Sequence, residues 1–339
     1  MNNKQWTRVI SLGFFIVLLY FARGALLPIV LALVLFYALQ PLVNLSLRFL
    51  PKKLPFAKDL SIIAAFAVFI VLASLAVEFV IPPFVDEFNQ LTTSLPQLIN
   101  QLQTVVRSGQ SWYARFRLPA QVDAALANGL NTAFGYISSF LQQTVLSLFA
   151  ILGQFIGFIV IPVIVYYLLK EEYSLVEGML KLVPTEHKGT FKTILTKINL
   201  ILKNYVEGQI VICSLIGVVT GLGLYLMGIK FFLVLGLIAG VTELIPIIGP
   251  IIGAIPAVII AFLISPALAV QVVIFYAIVQ TVGAYVLVPK LMGNKLDLHP
   301  LTILLAVLIL GNLIGVWGIF FAAPITAILK VLYLELRKP

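Results

Sequence analysis

Apolar residues in this chain come in long blocks. Six blocks have roughly the length of ordinary spans, at residues 9–21, 25–47, 60–81, 145–169, 208–229 and 267–288. Two more, at 231–264 and 301–329, are overlong and interrupted by glycine and proline. At about 1.5 Å per residue, 34 residues would reach about 50 Å, against a hydrocarbon core of about 30 Å. The backbone must therefore break or fold back within each overlong block. Residues 84–144 read differently, with Gln, Asn and Ser among spaced Leu, Val and Phe, and predict two or three amphipathic helices at or outside the membrane surface. Trp112, Tyr113, Arg115, Phe116 and Arg117 there suit an interfacial anchor or a protein contact. The expected fold is all-α: a polytopic membrane protein of about six full transmembrane helices, two broken or re-entrant helical hairpins and amphipathic extramembrane helices.

Composition supports this class. A chain 61% hydrophobic and 10% charged cannot hide its apolar surface in one soluble core. The net charge of +9 lies mostly in short segments between apolar blocks, so it points to topology and away from nucleic acid. Arg48, Lys52, Lys53 and Lys58 place the second loop in the cytoplasm, with Lys4 and Arg8 on the same side. The segment 170–207 mixes Lys and Glu and reads as solvated cytoplasmic helices divided at Pro184-Thr-Glu186. The chain enters its first apolar block without a small-residue cleavage motif, which predicts a retained span. The expected division is 1–82 (N-terminal transmembrane helices), 83–145 (extracytoplasmic or interfacial helices), 146–169 (one span), 170–207 (cytoplasmic helices) and 208–339 (a transport unit with two hairpins). Localisation in the plasma membrane with both termini cytoplasmic follows.

Charge also bears on the overlong blocks. If both crossed once, Lys290 and Lys295 would lie outside; if both are hairpins, these lysines lie inside with the basic tail. The hairpin choice leaves Arg23, Arg107, Arg115, Arg117 and Lys230, out of 22 basic residues, outside or at the outer surface, and is preferred. The unit 208–264 then faces oppositely to the unit from 267 onward. Gly249-x-x-x-Gly253 in one answers Gly311-x-x-x-Gly315 in the other, with Pro256 and Pro324 further along. Paired breaks of this kind in two halves are the sequence pointer to a secondary-transporter binding site.

The candidate site follows from these breaks. Pro246, Pro250 and Pro256 cannot donate a backbone hydrogen bond, and Gly249 and Gly253 permit close approach. Half-helix ends left by a break attract anions or sugar-like oxygens at one end and cations at the other. A second reading of the glycines is close helix packing. Glu243 is the one ionisable residue in block 231–264. It could exchange a proton or coordinate a cation, or simply hydrogen-bond a neighbouring helix. Gln280 and Asn312 could offer amides to hydroxyls or bond between helices. Lys290 reads as a topology anchor, His299 before Pro300 as a helix cap, Glu78 as interfacial, and Glu207 as a solvated helix end. The candidate set is Glu243, Pro246, Gly249, Pro250, Gly253, Gln280, Gly311, Asn312 and Gly315. A lone Cys213 and two distant histidines offer no disulfide, zinc or haem site, and no cofactor is expected. Zinc-helix and phosphate-loop motifs are absent, which argues against an enzyme and against nucleotide-driven transport.

Tyr205-Val-Glu-Gly-Gln209, Gly228, Gly240, Ile245-Pro246-Ile-Ile-Gly249-Pro250-Ile-Ile-Gly253-Ala-Ile-Pro256, Val288-Pro289-Lys290-Leu-Met-Gly293, Leu298-His299-Pro300, Gly311, Gly315, Gly318 and Pro324 together resemble the autoinducer-2 exporter (AI-2E) family over nearly the whole length. Members often carry an aromatic residue after the Ile-Pro pair, where this chain has Ile247. The resemblance implies a transporter-like membrane protein in contact with lipid, assembled as a homo-oligomer. Its cargo would be a small polar solute such as autoinducer-2, or a monovalent cation exchanged for protons, since some members are described as sodium or lithium/proton antiporters. An oligomeric scaffold or passive pore using residues 84–144 is the third expectation.

Overall fold

The computed structural model describes residues 23–50, 56–113, 160–292 and 298–337, with scattered positions between 128 and 143. Among the described residues the regular elements are all helical. They are α1 (Arg23–Phe49), α2 (Ala57–Phe79), α3 (Ile81–Tyr113), α4 (Val160–Lys181), α5 (Lys188–Leu226), α6 (Phe232–Thr242), α7 (Gly249–Ile264), α8 (Pro266–Val282), α9 (Val288–Met292), α10 (Pro300–Ile314) and α11 (Val316–Leu336). A 3₁₀ turn, Thr185–His187, leads into α5, and a π-turn, Gly283–Leu287, joins α8 to α9. Among the described residues, five stretches are long and apolar enough to cross a membrane: Leu31–Phe49, Ala57–Phe79, Thr185–Leu226, Pro266–Met292 and Trp317–Glu335. The expected span at 9–21, most of that at 145–169, and Lys52, Lys53, Arg115, Arg117 and Lys295 lie outside the described residues.

The polar segment before residue 208 and the span after it form one continuous helix, α5, of 39 residues. No proline falls between Lys188 and Leu226, and single glycines cost a helix only about 1 kcal/mol each. At about 1.5 Å per residue α5 is roughly twice as long as the bilayer is thick. The chain divides into two compact units, and α5 serves both, with residues up to Ile210 in one and from Val211 in the other.

In the unit that contains α1, α4 and the C-terminal helices, α10 and α11 pack against each other as an antiparallel hairpin. Leu310 and Gly311 lie against Gly318 and Ile319. The reversal turns on Gly315 at φ 67°, ψ −144°, a conformation close to glycine-only, and a Cβ on Gly318 would collide with the Leu310 carbonyl. His299 caps α10, its Nδ1 accepting from Leu301 N–H at 3.2 Å, with Pro300 in the first turn. Within α11, Pro324 deprives the Phe320 carbonyl of its helical donor. The Tyr205 hydroxyl of α5 replaces that donor at 2.6 Å, and both residues are buried. Toward the C-terminus, Lys197 Nζ meets the buried Glu335 carboxylate at 2.5 Å, and the Tyr37 hydroxyl donates to Asn199 Oδ1 at 2.8 Å, which joins α1 to α5.

In the other unit, α6 and α7 form the first hairpin, and α8 packs along α7. At 11 and 16 residues, α6 and α7 reach about 17 and 24 Å, short of a bilayer. Both overlong blocks are thus broken into two packed helices, and in the second the stretch Trp317–Glu335 of α11 is itself long and apolar enough to cross a membrane. Helix α3 begins on Pro82 and Pro83 in its first turn and covers this hairpin with Phe84, Phe88, Leu91, Leu95, Leu98 and Leu102. Their 4-3-4-3-4 spacing is one continuous helix face. On the far side of α6, Gly217 and Gly221 of α5 meet Gly236 and Gly240 backbone to backbone, and a Cβ on Gly236 or Gly240 would lie 2.8 Å from a carbonyl of α5.

The Tyr205–Phe320 contact generates a test. Tyr205→Phe leaves a buried carbonyl without its donor and should lower the unfolding free energy in detergent by about 1–3 kcal/mol. In a Pro324→Ala background, where the helix can supply its own N–H, the same change should cost much less. Equal costs in the two backgrounds would refute the pairing.

Candidate functional site

The first hairpin reverses over residues 243–248 on local backbone hydrogen bonds. Leu244, Ile245 and Gly249 N–H groups donate to the Val241, Thr242 and Ile245 carbonyls at 3.1, 2.9 and 3.0 Å. The Ile248 N–H donates to the Pro246 carbonyl at 2.8 Å, closing a γ-turn around Ile247 at φ 71°. A positive φ at a β-branched residue is an outlier, and this form of γ-turn is the strained one. A Cβ on Gly249 would collide with the Thr242 carbonyl, and one on Gly253 would meet the Thr242 hydroxyl at 2.5 Å. These glycines thus let α6 and α7 close on each other, which is the packing role raised from sequence.

Glu243 sits at the last turn of α6 as its C-cap. Its Oε2 accepts from Gln280 Nε2 of α8 at 3.2 Å. Two candidates 37 residues apart are thereby brought together, and both are partly buried. One turn earlier on α8, the Tyr276 hydroxyl points at the Gly253 carbonyl at a long 3.5 Å. One face of α8 thus presents a phenol and an amide to the broken hairpin. The C-terminal carbonyl end of α6 and the Glu243 carboxylate concentrate negative potential, while the N-terminal end of α7, at Gly249 and Pro250, supplies the opposite dipole a few residues away. Such a turn can hold a proton, a monovalent cation or a hydroxylated solute.

Gly311, Asn312 and Gly315 belong to the second hairpin, in the other compact unit. Asn312 is exposed, and its Nδ2 donates to the Leu308 carbonyl of its own helix at 3.0 Å. Glu207 pairs loosely with Lys203 at 3.9 Å, one turn away on α5.

Sequence reasoning missed Glu87. This carboxylate lies on α3 beside Phe88 and reaches the start of α6, where Oε2 accepts from Leu233 N–H at 2.9 Å and Val234 N–H at 3.2 Å. Phe231, which precedes α6 at φ 62°, provides no side-chain cap of its own. Burial pushes the Glu87 carboxyl above the usual carboxylate range, and the two N–H groups oppose that rise. The available signal was an acid on the apolar face of an amphipathic helix, between Phe84 and Phe88.

The family described as AI-2E family transporter matches residues 9–338. The chain belongs to that family. Among its relatives, "Putative transport protein YueF" of Bacillus subtilis is 30% identical over 315 residues, which are 91% of this chain and 83% of the relative. "Putative permease PerM" of Escherichia coli K12 is 27% identical over 316 residues, 92% and 88% of the two chains. A protein of Halobacillus andaensis named "Sodium-lithium/proton antiporter" is 24% identical over 341 residues, 97% and 94%. The protein is thus a multi-span membrane protein of a transporter family.

Two outcomes follow from the local geometry. Ile247→Gly should relieve backbone strain of about 1–3 kcal/mol while adding about 0.4–1 kcal/mol of unfolded-chain entropy, so the melting temperature should stay level or rise. A marked fall would contradict the strained turn. The raised Glu87 carboxyl means the folded state holds its proton more tightly than the unfolded chain. Its contribution is therefore largest below the ordinary value of 4.5 and is lost as pH rises from there through the raised folded value. Melting curves across that window should show the slope in the wild type and a shallower one in Glu87→Gln.

Proposed function

We propose that this AI-2E family member is a secondary transporter that exports a small polar solute, with autoinducer-2 or a related hydroxylated signal as cargo, by alternating access. The observation that carries the reading is the Glu243–Gln280 contact at the turn of a helical hairpin too short to span the bilayer. A carboxylate and an amide paired across two helices can exchange each other for the hydroxyls of a passing solute at small net cost, because each buried polar group always has a partner. Pro246, Gly249, Pro250 and Gly253 shape the turn that presents them. Gly311, Asn312 and Gly315 mark the corresponding turn of the second hairpin, and their part is to shape the second half of the pathway. The chain carries no nucleotide-binding loop, so an ion gradient is the natural drive. Assembly as a homo-oligomer, with both termini in the cytoplasm, completes the proposal.

A second reading is sodium or lithium/proton antiport centred on Glu243. It is favoured by the name of the Halobacillus relative, which aligns over nearly the whole chain, and by Glu243 being the one ionisable group in its apolar block. Glu243→Gln separates the two. Under the export reading, cells expressing the wild type release more autoinducer-2 than the empty strain, and the variant lowers that release at least about tenfold, the cost of one lost charge-assisted hydrogen bond. Release that is unchanged in the variant, together with abolished Na+- or Li+-induced proton movement in everted vesicles, would sink the solute reading in favour of antiport.

A further inference from the structure

Resting on the reading that the first hairpin's turn serves transport, we infer that Glu87 is a positioning residue which clamps the start of α6 and so sets where Glu243 stands at its far end. Three observations carry this inference. First, α6 has no local cap, and the carboxylate that satisfies its first amides comes from α3, 146 residues away in sequence. Second, α6 packs on α5 through Gly217, Gly221, Gly236 and Gly240, with the Tyr225 ring 4.9 Å from that of Phe232 beside the end that Glu87 holds. The glycines bring the two backbones together along the middle of α6 and place no side-chain hydrogen bond on its first amides. Third, the polar residue inside α6, Thr242, spends its hydroxyl on carbonyls of its own helix, Ile238 at 2.8 Å and Ala239 at 3.1 Å.

Hydrogen bonds from other helices hold α6 at both ends, Glu87 on Leu233 and Val234, and Gln280 on Glu243. An 11-residue helix behaves as a rod of about 17 Å. A rod this short transmits a shift at one end to the other, so the clamp at its start bears on where Glu243 meets Gln280. Phe88, Leu91 and Leu95 seat α3 against the hairpin and keep the carboxylate in reach.

The experiment is amide hydrogen exchange on the full-length protein in lipid nanodiscs, comparing wild type, Glu87→Ala and Glu87→Gln. In Glu87→Ala, exchange should quicken roughly tenfold at the Leu233 and Val234 amides and also at the far end, at the Glu243, Leu244 and Ile245 amides. Glu87→Gln keeps an acceptor oxygen and should restore both ends. Acceleration confined to Leu233 and Val234 would overturn the positioning role, and so would a Gln variant that behaves like Ala. If the Ala variant does not fold, Glu87→Asp, one methylene shorter, replaces it under the same two criteria. In vesicles pulsed with NaCl or LiCl, the pH midpoint of proton movement should shift in the Ala variant and return in the Gln variant, which a loss of folded protein alone would not produce. An effect at both ends of α6 in a protein that moves neither protons nor autoinducer-2 would leave the clamp standing and remove the transport reading instead.

Discussion

An apolar slab offers no water to backbone N–H and C=O groups, so each helix break inside it must be repaired from within the protein. Most of the distinctive contacts in this chain are such repairs. Pro324 frees the Phe320 carbonyl, and Tyr205 bonds it. The short helix α6 begins without a cap, and Glu87 supplies one. Helix α10 begins on Pro300, and His299 caps it. The turn at 243–248 closes on its own carbonyls, at the cost of a left-handed isoleucine. The donors come from wherever a side chain can reach, in two of these cases from another helix.

The same constraint explains where the glycines stand. A hairpin whose legs must satisfy each other's ends has to be tight, and tightness needs a missing Cβ at the contact. Gly249 and Gly253 serve the first hairpin in this way, and Gly318 serves the second. The two hairpins also share a proline in the second leg and a tyrosine from another helix aimed at a carbonyl just before it. Tyr276 faces Gly253 ahead of Pro256, and Tyr205 faces Phe320 ahead of Pro324. The parallel is one of position only: Phe320 is the carbonyl that Pro324 orphans, four residues back, whereas Pro256 orphans Ile252 and Tyr276 faces the next carbonyl along.

Much of this was legible in the sequence. Block lengths marked 25–47, 60–81, 208–229 and 267–288, where the described helices are long and apolar enough to cross a membrane, and glycine and proline marked the two overlong blocks as broken. His299 before Pro300 was readable as a cap because both residues lie within one local motif. What escaped were pairings whose members are far apart. Nothing near Glu87 announces that the amides of residues 233 and 234 need a cap, and nothing near Tyr205 announces Pro324. The continuity of α5 also escaped, because the change from charged to apolar at residue 208 looks like a boundary while the backbone lacks anything to break it. Polarity sets where a helix meets water; breakers set where it ends.

This difference between local and distant repair bears on how the first hairpin can work. Bonds within the 243–248 turn move with the hairpin and cost nothing to carry along. Bonds from other helices, Glu87 at one end of α6, Gln280 at the other and Tyr276 on Gly253 of α7, must be exchanged or must travel with it. In the proposed transporter these are places where a substrate or a proton can change the balance between states, since a ligand shifts an equilibrium only through contacts that differ between them. The glycine crossing of α5 and α6 contributes little directional bonding to that balance. In the proposed transport cycle the carboxylates of Glu87 and Glu243 hold the two ends of α6, and Glu243, which contacts Gln280, is the one that the proposed cargo would meet.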